Sequence, residues 1–382
     1  MNFKIKNIWL YIFIIGLFMS SHPYFEWQLN LASFYFLCCF IFPIWGIREI
    51  ASSPHRVLSI FLFVIFYVYS ALNQYPGANI VGILFTASLV GLFLISSQNW
   101  KRLYDVFVSI YSIVLIPSIF VFILVKYLGV NIPYNVIDPL VELKGYVYYQ
   151  YPFCVIPNTI TSTFRFGSIF DEPGVVGTIS AVLLVTNKFD FEDRRNWSIA
   201  VAGVLSLSMF FFVIVFFYIF MFAPTKTKIS AVLFLGIIGI FIYNYDKEIL
   251  QSLVFDRFVI EDGQLAGNNR TATGFDNWYQ SYLQSDKALV GYGKGYCSAV
   301  QNIGGASYKN IVVDAGVPMF IVFVLGLIFY YLSILNRKSQ RKDLILILVL
   351  SAGVVFQRPF IYELFYIFLI MAPIHAINHK QL

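Results

Sequence analysis

Apolar runs broken by short polar clusters organise this chain from one end to the other. They fall at residues 8–19, 29–47, 58–72, 80–96, 106–128, 174–185, 197–222, 229–243, 311–335, 344–356 and 360–377. A helix needs about 20 apolar residues to cross a bilayer, so this pattern predicts a series of membrane-spanning helices. The first run follows Lys4 and Lys6 and looks like the core of a signal peptide. It lacks a small-x-small cleavage site and further runs follow it, so an uncleaved first helix is expected.

The basic clusters between the runs set an orientation. Lys4/Lys6, Arg48/Arg56, Lys101/Arg102, Lys188/Arg194/Arg195, Lys226/Lys228 and Arg337/Lys338/Arg341/Lys342 are all expected on the cytoplasmic side. One crossing per run satisfies this everywhere except at 197–222, which has basic clusters on both sides. That run also contains Gly203 and a Ser206-Leu207-Ser208 break. Two short crossings, or a re-entrant pair, restore the parity. The chain then makes about 10–12 crossings with both termini cytoplasmic, as an all-α integral membrane protein. It forms a single polytopic membrane domain over 1–382. Two large loops, 129–173 and 244–310, face outward, to the periplasm in a bacterium.

Composition sharpens this picture. Of 382 residues, 59% are hydrophobic, 19% aromatic and only 12% charged. Soluble domains carry about 25% charged residues, so the chain has roughly half the charge that a water-facing surface needs. A mean hydropathy of +0.75 agrees. A secreted disulfide scaffold, a disordered chain and an ordinary cytosolic enzyme are excluded. The net charge of +6 is gathered in the loop clusters, a topological signature that implies no nucleic-acid partner. Cys38 and Cys39 are adjacent in an apolar run; Cys154 and Cys297 lie in different loops and pair only if both face an oxidising side. No CxxC spacing occurs, and His375 and His379 lack a third ligand, so no metal site is predicted.

The two outer loops hold most of the polar chemistry. The first ends in Arg165-Phe-Gly167-Ser-Ile-Phe-Asp171-Glu172-Pro173-Gly174. Arg165 can make bidentate contacts to a phosphate, and Asp171 or Glu172 can accept a proton from a sugar hydroxyl. Helix capping also explains the two acids and Pro173. The second loop carries Arg257, Arg270, Trp278-Tyr279, Tyr282 and then Gly291-Tyr292-Gly293-Lys294-Gly295-Tyr296. Three arginines and Lys294 on one side of the membrane suggest an anionic ligand such as a pyrophosphate. The glycines either let backbone N–H groups approach it or form a tight turn. Trp278, Tyr279, Tyr282, Tyr292 and Tyr296 suit stacking on sugar rings, and equally suit an interfacial belt. Asp314 and Glu363, in the ninth and last runs, are expensive inside a membrane and point to function unless they reach the outer interface.

Together these segments resemble the O-antigen polymerase and ligase superfamily of bacterial inner-membrane glycosyltransferases, and most closely its Wzy-type polymerases. The likeness rests on Arg-x-Gly-x-x-x-acid-acid-Pro-Gly before a short helix, the Ser-Leu-Ser turn, a large outer loop carrying Arg257, then Arg270 with Trp278, then Leu289-x-Gly-x-Gly, and the helix opening Val312-Val-Asp314-Ala-Gly316. It covers the layout of most of the chain, through short motifs. The resemblance implies a GT-C-like helical fold in the inner membrane with its active site facing the periplasm. It also implies metal-independent joining of undecaprenyl-pyrophosphate-linked repeat units, with no cofactor. Arg165 and Arg270 would engage the pyrophosphate, with Arg257 in support. Glu172, Asp171 or Asp314 would serve as base. Lys294, Tyr292, Trp278, Tyr308 and Lys309 would contact substrate. Partners would be lipid-linked donor and acceptor glycans, membrane lipid, a chain-length regulator and a flippase. The ligase branch carries a His before its penultimate helices, and this loop has none, which argues against a ligase. A transporter or flippase of an anionic or lipid-linked substrate is the competing class.

Overall fold

The computed structural model describes residues 8–24, 38, 53–138, 142, 145, 147–158, 165–223, 225, 228–229, 260–261, 264–265, 274–300, 307–335 and 340–379. The fold is mostly helical, with few strands. Three of the described helices are long and apolar enough to cross a membrane: Pro54–Leu72, Ser97–Lys126 and Val317–Ile334. The predicted runs 29–47, apart from Cys38, and 229–243, apart from Ile229, lie outside the described residues. The chain divides into two compact units. One comprises Met1–His22, Gln28–Ser109 and Arg270–Leu382, and the other Pro23–Trp27 and Ile110–Asn269.

In the first unit, the Pro54–Leu72 helix begins with Ser53 as N-cap, its side chain accepting the Arg56 N–H, and with Pro54 in the first turn. Its inward face carries Arg56, Ser59, Phe63, Phe66, Tyr67 and Ser70. Its outward face is apolar, with Val57 57%, Phe61 58% and Leu72 65% exposed. A helix of a soluble protein turns its polar side out. Here hydroxyls point inward and bulky hydrocarbons outward, the arrangement that suits lipid as solvent. The helix packs along Val317–Ile334. At their crossing Ser59 donates to the Gly326 carbonyl at 2.9 Å, and Phe63 fills the space that a Cβ on Gly326 would need. Small residues and hydroxyls of this kind hold helices together where no hydrophobic effect drives them.

Other pairs in the unit follow the same rule. Tyr331 OH lies 2.6 Å from Ser351 Oγ, and Tyr330 OH 2.8 Å from His375 Nε2. His375 is therefore a buried interhelical partner. Arg56 reaches the carbonyls of Phe93 at 2.7 Å and Ile95 at 3.2 Å, closing the 3₁₀ turn Leu89–Leu94. Its guanidinium also stacks 4.3 Å from the Tyr330 ring centroid. The run 311–335 is not one helix: Lys309–Ala315 ends at Gly316, whose φ of 87° breaks the chain before Val317–Ile334.

In the second unit the Pro173–Thr186 helix is buried along its whole length. It is 14 residues, about 21 Å at 1.5 Å per residue, short of the roughly 30 Å hydrocarbon core. Two helices, Arg195–Leu205 and Met209–Phe222, pack against it. The predicted break inside 197–222 is thus present at Ser206-Leu207-Ser208, with Leu207 in the left-handed region at φ 45°. The loop 129–173 contains a small antiparallel sheet that the hydropathy pattern does not announce: Asn135–Val136, Tyr148–Tyr151 and Cys154–Pro157, with Tyr149 opposite Ile156 and Val136 opposite Tyr149. Ile137, Tyr148 and Val155 form its core, with Tyr24 packed on it. Cys154 and Cys297 are each free, buried thiols, so the disulfide considered from sequence is not formed.

Candidate functional site

Each unit carries one constellation of predicted residues. In the first unit it is built on the loop 291–295. Gly291, Gly293 and Gly295 all have positive φ, at 72°, 105° and 93°. Gly291 also lies against the Gly316 backbone, so closely that a Cβ on either glycine would strike the other's segment. The loop is clasped on both sides. Tyr292 and Gly293 donate to the carbonyls of Val313 and Asp314, each at 2.9 Å, and Lys294 exchanges backbone bonds with Asn73 and Tyr75 at 2.8 and 3.0 Å. Gly291 donates to Lys287, and Gly295 to the Asp314 carboxylate.

All five N–H groups of 291–295 are therefore taken by protein acceptors. The phosphate-cradling reading of this stretch fails, because no backbone donor is left facing a ligand. The tight-turn reading holds, and the loop's task is to present its one charged side chain.

That side chain is Lys294. Its ammonium donates to Thr86 Oγ1 at 2.5 Å and lies 5.0 Å from the Tyr362 ring centroid and 5.8 Å from that of Phe85. It makes no ion pair among the described residues. Burial lowers its pKa from 10.5 to about 8, and the negative charges of Asp314 and Glu363 oppose that shift. Asp314 is buried, and burial raises its carboxyl to about 6. Its oxygens accept the N–H of Gly295 at 2.9 Å and of Cys297 at 3.2 Å. Neither Asp314 nor Glu363 is inside a spanning helix: Asp314 precedes the Gly316 break, and Glu363 stands just ahead of Leu364–His379, 3.6 Å from His22 Nε2.

The aromatic residues form a stack of their own. Tyr292 and Tyr296 are 4.3 Å apart and nearly parallel, and Trp278 lies within 6.5 Å of Tyr282, Tyr292 and Tyr296. Tyr279 and Tyr282 are buried in this cluster, while Trp278, Tyr292 and Tyr296 keep partly open faces. Lys309 is paired with Asp276 at 2.6 Å and lies over the Tyr279 ring. Tyr308 packs near Phe320 and Phe356.

In the second unit Arg165 sits beside the Ser206-Leu207-Ser208 break. Its Nε donates to the Ser206 carbonyl at 3.2 Å, and the next residue, Phe166, donates its N–H to Leu205 at 2.9 Å. Gly177, one turn into Pro173–Thr186, touches Ser206 and Ser208 so closely that no side chain fits there. Glu172 occupies the N-cap position of that helix but makes no side-chain capping bond, and Asp171 lies directly before it. Capping by side chain, the alternative for these acids, is not what Glu172 does.

Arg257 and Arg270 lie outside the described residues. Thr86, Phe85 and Tyr362 were not singled out by the sequence, since each sits in or beside an apolar run more than 60 residues from Lys294. The adjacent Tyr362-Glu363 pair, polar within an apolar run, was the available signal. No group of three or more metal-ligating side chains stands together among the described residues. Compared with known proteins, the chain matches no family model, no curated protein and no solved structure. The functional reading therefore rests on the residues and their geometry.

Proposed function

We propose that this protein is a glycosyltransferase of the O-antigen polymerase type. It joins undecaprenyl-pyrophosphate-linked repeat units on the periplasmic face of a bacterial inner membrane. The observation that carries the reading is the meeting of Arg165 with Ser206. Two separate motifs of the family resemblance, the Arg-to-acid-Pro-Gly segment and the Ser-Leu-Ser turn, form one structure around a buried helix. The inverted polarity of the Pro54–Leu72 helix supports a lipid setting. The full count of about 10–12 crossings and the GT-C-like class belong to this proposal.

The chemistry needs no redox step. The acceptor sugar hydroxyl oxygen bonds to the donor's anomeric carbon as the bond from that carbon to the pyrophosphate oxygen breaks. The electron pair leaves with the lipid pyrophosphate, and the hydroxyl proton passes to a carboxylate. Glu172 or Asp171 is the base of choice. Asp314 is less suited, because both its oxygens already accept backbone N–H groups. Arg165 and Arg270 stabilise charge developing on the leaving group, where fixed donors are most effective. Lipid-linked donor and acceptor glycans, a flippase and a chain-length regulator are the partners of this reading.

The test is the surface-glycan profile of a strain lacking the chain. Core with a single repeat and no ladder supports a polymerase. Bare core with accumulated lipid-linked polymer identifies a ligase instead. Unchanged lipopolysaccharide and capsule together move the protein to the transporter class.

A further inference from the structure

The geometry points to a second anion-binding element in the first unit: Lys294 and Thr86, walled by Tyr362 and Phe85, take a phosphoryl group. This deepens the polymerase reading and rests on it for the identity of the anion as a prenyl pyrophosphate; the site itself rests on the contacts.

A buried ammonium is tolerated when paired or fully hydrogen-bonded. Lys294 has three donors and places one on Thr86, with ring faces at 5.0 and 5.8 Å and no carboxylate at ion-pair distance among the described residues. Of the carboxylates whose charges reach it, Asp314 is held by the N–H groups of Gly295 and Cys297, and Glu363 stands 3.6 Å from His22 Nε2. Thr86 accepts from Lys294 and so keeps its own O–H as a donor. The result is two neighbouring donor groups beside aromatic rings, a donor set that suits phosphoryl oxygens followed by a hydrocarbon chain. The backbone bonds of Lys294 to Asn73 and Tyr75 fix its main chain, and the bond to Thr86 places its ammonium, before any ligand arrives.

The experiment is calorimetric titration of the detergent-purified full chain with inorganic pyrophosphate and, separately, farnesyl pyrophosphate. Lys294→Met is expected to weaken binding at least about tenfold, and Thr86→Val several-fold. Lys287→Ala, which removes an exposed lysine from the helical turn Lys287–Val290 just before the loop, is expected to bind as wild type does. Binding of both probes marks a phosphoryl site open to soluble anions; binding of the prenyl probe alone marks a lipid headgroup site. Thr86→Val keeps the test standing if Lys294→Met does not purify as a folded protein. The inference fails if both variants bind like wild type, or if wild type binds neither probe. A deletion strain with unchanged glycans would sink the polymerase reading and leave this site intact, so the two failures are separable.

Discussion

The Asp314 carboxylate accepts the backbone N–H of Gly295 at 2.9 Å, and through that bond the segment preceding the Val317–Ile334 helix holds the loop that presents Lys294. A second bond, from Cys297 N–H at 3.2 Å, engages the other oxygen. The carboxylate is buried and its pKa is raised to about 6, so this anchoring works against desolvation rather than with it.

Asp314→Ala strands two N–H groups, that of Cys297 buried and that of Gly295 partly buried, and is expected to lower stability by about 1–3 kcal/mol. Asp314→Asn retains an acceptor oxygen for one of them and should lose less. Thermal unfolding of the purified variants checks this. Equal midpoints for Ala and wild type would show that the bonds do not anchor the loop.

Lys294 gives a prediction with a definite pH window. The unfolded chain holds this proton up to its ordinary value of 10.5, whereas the folded protein releases it near 8. The folded state thus carries the full cost of the buried charge below about pH 8. That cost fades as pH rises from 8 to 10.5, where the unfolded state binds more protons. Lys294→Met is expected to be more stable than wild type at pH 7, by an amount on the order of 1 kcal/mol or more, with the gain shrinking towards pH 10. The same variant should lose polymer in cells, the trade expected of a functional charge. A variant less stable at pH 7 would mean that the lysine is structural.

Arg165 is read as a phosphate ligand that also braces the Ser206 carbonyl. Arg165→Lys preserves charge but loses the planar fork, and polymer is expected to fall about tenfold or more with membrane abundance unchanged. Immunoblotting beside glycan gels separates the two quantities. Wild-type polymer in Arg165→Ala would remove the residue from the site.

Gly177 has no room for a methyl group against Ser206 and Ser208. Gly177→Ala should cost about 1–3 kcal/mol by overpacking. Ser208→Gly in the same chain should recover part of that loss, because it removes the opposing Cβ. An absence of rescue would place the strain elsewhere.

What sequence reading missed is instructive in its pattern. The break at Ser206-Leu207-Ser208 was legible because a charge rule and two serines inside an apolar run both demanded it. The break at Gly316 was missed although Asp314, Gly316 and Pro318 punctuate the run there, because apolar residues on both sides read as one continuous span. The small sheet around Tyr148–Tyr151 hid in the large loop 129–173 because its strands are only two to four residues long, too short to stand out among the apolar runs. The glycine loop suggested a phosphate cradle, and only its hydrogen-bond partners revealed that each N–H points into protein.

Hydropathy and charge placement determined by themselves that this is a helical, lipid-suited chain, since burying hydrocarbon and excluding charge from it are properties of composition along the chain. They also marked Arg165, Asp171, Glu172, Lys294 and Asp314 as unusual. Which of these meet was decided only by tertiary structure. Lys294 finds Thr86 and Tyr362, and Arg165 finds Ser206, across 41 residues or more of intervening chain. Contacts of that separation depend on how helices cross, and helix crossing is settled by side-chain fit at points such as Gly177 and Gly326, which no local pattern records.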